Sequence, residues 1–185
     1  MSSDRIGQLT ARMQAHGIDH RSAGGGGNGE LHPLDVAAAF GFIKGAANQA
    51  IASYYYSVGN DRHGAVDALY LILARESERQ QHAQITLMYR GASDDRLLRQ
   101  GAENWPTMAR KNGAECSMLE RIREIARIVI DEKNGRIKTY ARIAECLGID
   151  KSNMCRGWAK VVSFARSEVA NALASAEGDI LEAFR

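Results

Sequence analysis

Lys151, Ser152, Asn153, Arg156 and Lys160 bring hydrogen-bond donors and positive charge to one short stretch of chain. Arginine and lysine bond phosphates and guanine edges, asparagine pairs with adenine, and serine bonds either. The set therefore suits the major groove of duplex DNA. Lys138 and Arg142 lie just upstream and are candidates for the same contact. The frame is the stretch 139–162, TYARIAECLGIDKSNMCRGWAKVV, which predicts a helix, a tight turn and a second helix. Ala144 stands four residues before Gly148, with Ile143, Leu147 and Ile149 around them. A small alanine lets a second helix cross closely, glycine accepts the positive φ of the turn, and the aliphatics bury the corner. That is the grammar of a helix-turn-helix. Thr139 and Asp150 are suited to cap the two helices. The competing reading is a purely structural corner, in which Met154, Trp158 and Val161 or Val162 are simply the core side of the second helix.

Nothing else in the chain recommends catalysis. The histidines are His16, His20, His32, His63 and His82. His16 and His20 are four residues apart, but Gly17 separates them and only Asp19 lies between as a carboxylate, which is a poor helical metal site. Asp94-Asp95, and Glu76 with Glu78, read as surface charges rather than an acid–base pair. No Gly-x-Ser-x-Gly, Cys–His pairing or nucleotide loop occurs. Cys116, Cys146 and Cys155 form no Cys-x-x-Cys pair. Their odd number argues against a disulfide framework and fits a reducing cytoplasm. Cys146 and Cys155 are expected as small core residues. The expectation is a protein that is not an enzyme and uses no cofactor or metal. The trio Tyr54, Tyr55 and Tyr56 is expected in core and interface rather than as a base-stacking platform.

The elements that must hold the basic stretch are helical. Hydrophobic residues make up 45% of the 185-residue chain, and Pro33 and Pro106 are its only prolines. Strand-like alternation is absent, so the fold class is all-α: a helical body, a C-terminal helix-turn-helix and a flexible N-terminal tail. Residues 1–34 form the tail, with a short amphipathic segment marked by Ile6, Leu9 and Met13 and a glycine linker at 24–29. The region 35–110 is the N-terminal helical part. It holds one helix over 35–56, with Gly41 and Gly45 on a close-packing face, and a second over 63–90 with a polar middle at 75–84. Residues 91–113 are irregular. The region 111–185 is the DNA-binding part. It holds a helix over 118–133, the helix-turn-helix and a final helix over 163–184. The 118–133 helix carries a stripe of Leu119, Ile122, Ile125, Ala126, Val129 and Ile130, and Asn134-Gly135 ends it. The longest apolar run, 68–74, is far too short to span a membrane, and no secretory leader is visible.

Charge is unevenly spread. Residues 1–109 hold 10 Lys and Arg against 11 Asp and Glu, residues 110–166 hold 13 against 7, and residues 167–185 hold 1 against 4. Basic residues gathered around a reading helix are the expected footprint of phosphate contacts. A solvated helix surface laced with ion pairs is the alternative, since Glu120, Glu124 and Glu145 sit among the arginines.

From Asp35-Val36-Ala37-Ala38-Ala39-Phe40-Gly41 to about Ala74, the chain resembles the lambda-type Q antitermination proteins of bacteriophages. The likeness resumes near Tyr140, crosses the predicted helix-turn-helix, and ends on Ile180-Leu181-Glu182-Ala183-Phe184-Arg185. Members of that family often carry a Cys-x-x-Cys zinc module before the reading helices. Here residues 91–115 take its place, with Cys116 alone, so zinc does not carry over. The resemblance implies binding of double-stranded DNA near a late promoter through Lys151, Ser152, Asn153 and Arg156. It also implies loading onto bacterial RNA polymerase held with its sigma factor in a promoter-proximal pause. A promoter-acting repressor or activator shares the reading helix, and a dimer on a palindromic site would favour it, so a homo-oligomer stays open. A protein-binding helical module, with the motif only a corner, is a further alternative.

Overall fold

The computed structural model describes residues 38–89, 105–106 and 114–183. These residues form helices and connecting turns with no strand among them, so the chain is all-α. After a 3₁₀ turn at Phe40–Phe42 come α1 (Ala46–Tyr55), α2 (Arg62–Tyr89), α3 (Ala114–Asp131), a 3₁₀ turn at Glu132–Asn134, and α4 (Tyr140–Leu147). Then α5 (Lys151–Asn153), a π-helical turn (Met154–Trp158) and α6 (Ala159–Ala183) follow one another without interruption. The tail 1–34, the start of the 35–56 segment, Asp94-Asp95 and nearly all of 91–113 lie outside the described residues.

Two compact units are distinguished, with boundaries inside α2 and α6: Met1–Ala68 together with Val169–Arg185, and Leu69–Glu168. In the first, Phe40, Ile43, Ala52, Tyr56, Ala176 and Ile180 are buried in one cluster. Phe40 meets Tyr56 edge-to-face at 5.7 Å between ring centres, and the Tyr56 hydroxyl bonds the Glu177 carboxylate. The Lys44 backbone N–H donates to Asp179 Oδ2 at 2.9 Å, and its ammonium meets Glu182 at 2.9 Å. The sequence predicts one helix over 35–56, but the chain breaks at Ile43–Gly45. Gly45 has φ +89° and stands at the head of α1, a conformation that no helix interior allows. Gly41 is exposed in the 3₁₀ turn, so the two glycines form no packing face.

The second unit is built around α3. Met118, Ile122, Ile125, Ala126, Ile128, Val129 and Ile130 are buried, each large aliphatic contributing about 1.5–3 kcal/mol on removal from water. Leu119, expected on that stripe, is 44% exposed. Leu119 shares its side of the helix with the buried Ala126 and Ile130, but near the start of α3 it is Met118 that is buried. The polar middle of α2 is divided. Ser77 is buried and accepts the Trp105 indole N–H at 3.3 Å, while Trp105 stands edge-on to Phe164 at 5.8 Å. On the outer side Glu76 receives Arg79 in two bonds of 2.6 and 2.7 Å and Gln80 in another of 2.7 Å.

Candidate nucleic-acid interface

Local chemistry sets the geometry of 139–160. The Thr139 hydroxyl oxygen accepts the Arg142 N–H at 3.3 Å and so caps α4. At the far end Gly148 is left-handed, φ +62° and ψ +35°. The Gly148 N–H donates to Glu145 C=O at 3.2 Å and the Ile149 N–H to Ala144 C=O at 3.1 Å. This paired closure is a Schellman ending, and Ile149 supplies its apolar residue. Asp150 then starts the next helix, with its Oδ1 accepting the Asn153 N–H at 2.8 Å. Ile143, Ala144 and Leu147 are buried on α4, and Met154, Gly157 and Trp158 on the π-helical turn. The Arg121 guanidinium stands 5.9 Å over the Trp158 ring.

The outward side holds the residues named from sequence. Lys151, Ser152, Asn153 and Arg156 are exposed, and Lys160 is half-buried. Among the described residues no carboxylate pairs with Lys151 or Arg156. The Asn153 side-chain amide donates one N–H to Asp150 Oδ2 at 2.6 Å. Its other N–H and its carbonyl oxygen remain, which are the two groups that bond an adenine edge. Arg142 is exposed and ion-paired with Glu145 at 2.5 Å, and its hydrogen bond to that carboxylate raises its pKa above the ordinary arginine value. An exposed, solvent-screened pair of this kind holds its arginine weakly enough to exchange for a phosphate. Cys146 and Cys155 are exposed free thiols, not the core residues expected of them. The inward places on their helices are taken by Ile143, Leu147, Met154 and Trp158.

Lys138 plays a part that local patterning does not disclose. Its backbone N–H donates to Glu132 Oε1 at 3.1 Å, and its C=O accepts Arg166 Nη2 at 2.9 Å. Arg166 closes the ring by gripping Glu132 in two bonds, Nε–Oε2 at 2.9 Å and Nη2–Oε1 at 2.6 Å. The hydrogen bond to Glu132 raises the arginine's pKa, with burial opposing. The ring of Tyr140 lies 5.6 Å from the same guanidinium, and its hydroxyl meets the Ser163 hydroxyl at 2.9 Å. Glu132 and Arg166 are 34 residues apart, so no helical period links them.

Among the described residues no three His, Cys, Asp or Glu side chains gather as a metal site, and no described helix is long and apolar enough to cross a membrane. Compared with protein-family models, curated proteins and solved structures, the chain matches none.

Proposed function

We propose that this is a double-stranded-DNA-binding protein whose residues 139–160 act as a helix-turn-helix. Lys151, Ser152, Asn153 and Arg156 lie in the major groove, with Lys138, Arg142 and Lys160 on the flanking phosphates. The carrying observation is the row of exposed donors at 151–156, backed by the buried Met154, Gly157 and Trp158. A merely architectural corner has no need of an outer face on which Lys151 and Arg156 lack described carboxylate partners. Asp150 both caps the helix and orients the Asn153 amide outward, which favours reading of an adenine.

More particularly, the resemblance to lambda-type antitermination proteins supports the reading of the chain as a phage transcription antitermination factor. It would bind beside a late promoter, load onto RNA polymerase paused with its sigma factor, and suppress later pausing and termination. The more neutral N-terminal helices would supply the polymerase surface. Transcription with purified polymerase, on a template carrying the promoter and a downstream terminator, tests this. Read-through that requires the protein supports it. Repression or activation of initiation with unchanged termination points instead to a promoter-acting regulator.

A further inference from the structure

The segment between α3 and α4 presents Ile137, at 71% the most exposed large apolar side chain among the described residues. Arg136 precedes it, exposed and with no described carboxylate partner, and Lys138 follows it. This segment does not hang loose. Both backbone groups of Lys138 are held by the Glu132–Arg166 pair, whose side chains are 8% and 27% exposed. Immediately beyond it, Tyr140 is tied to Ser163 on α6. An aliphatic kept in solvent between two cations, at the tip of a segment fixed through its own peptide, is a poor arrangement for folding and a good one for contact.

Position decides the occupant. Arg166, which holds Lys138, follows Arg156 by ten residues on the continuous helix, so the segment is fastened about 15 Å along that rod from Arg156. The major groove is about 12 Å wide, so if residues 151–156 at the start of the rod lie inside it and the rod then leaves it, a point that far along reaches the phosphate wall and the neighbouring minor groove. Arginine is favoured in the negative potential of a narrow minor groove, and isoleucine is one of the residues that wedge between base steps there.

We infer that residues 136–138 form a second DNA-contacting element, with Arg136 and Ile137 entering the minor groove beside the reading helix and Lys138 on its phosphate edge. This rests on the DNA-binding reading above. The test uses the full chain and short duplexes that it selects from a randomised pool. R136A and I137S are each expected to weaken binding about tenfold. R136A should also lower the slope of log K against log salt by about one, whereas I137S should leave it unchanged. Distamycin, which fills the minor groove of A·T tracts, should weaken the wild-type chain and have little further effect on R136A/I137S. Both side chains are exposed, so thermal melting of the variants should match wild type. Variants that bind as wild type while R156E fails to bind would overturn this element and leave the reading helix standing. A wild-type chain that selects no duplex would overturn both.

Discussion

Replacing Arg166 with alanine removes three hydrogen bonds that it donates, two to Glu132 and one to the Lys138 carbonyl. The Glu132 carboxylate, 8% exposed, then keeps only the Lys138 N–H. Removing one partner of a fully buried pair costs about 3–5 kcal/mol. Arg166 is 27% exposed, so water reaches part of the gap and the expected loss is about 2–3 kcal/mol. With a urea m-value of about 2 kcal/mol per molar, the unfolding midpoint should fall by about 1 M. The double variant E132Q/R166M removes the charge together with its partner and should recover about half of that loss. Hydrogen exchange should show the Lys138 amide protected in wild type and less so in R166A, where nothing holds its Glu132 acceptor in place. A midpoint shift below about 0.3 M, or a double variant no better than the single one, would refute the clamp as an anchor of this segment.

Three further outcomes follow from the same geometry. D150A loses the Asn153 cap and the tether on its side-chain amide, so it should destabilise by about 1 kcal/mol and blur the preference at a single base pair in duplex selection. G148A meets no neighbouring atom but forces a side chain to φ +62°, so chemical denaturation should show a loss of about 1 kcal/mol from strain alone. The Arg79 hydrogen bonds hold Glu76 below its ordinary pKa of 4.5, with burial opposing. That stabilisation is complete above 4.5 and is lost as pH falls through the lowered value, so the melting difference between wild type and E76Q should be constant near neutrality and close in acid.

The parts of the structure legible in the sequence are those fixed within a few residues. Thr139 and Asp150 announce their caps because a short oxygen-bearing side chain ahead of an amphipathic run has few other uses. Gly148 announces the turn because a left-handed residue is needed there. The phase of α3 is readable, although Leu119 shows that a residue in phase with buried ones further along (Ala126, Ile130) can face water near the start of a helix. Gly45 is ambiguous in the sequence because a glycine beside alanines suits both a close-packed helix face and a helix start, and only its φ separates them. The Glu132–Arg166 clamp and the Trp105–Ser77 bond join residues 34 and 28 apart, and no local period encodes such a meeting. Residue type alone puts the thiols of Cys146 and Cys155 inside, and it is a weaker guide than helical phase, which leaves both exposed.

Fluorescence anisotropy of the full chain on a duplex it has selected, with R156E alongside, puts the most direct question to the reading helix. Wild type should bind tightly, with affinity falling steeply as salt rises, and R156E should bind no better than to random duplex while its helical circular dichroism stays unchanged. Equal binding by a folded R156E would mean that the exposed face of 151–156 does not lie in a groove of DNA.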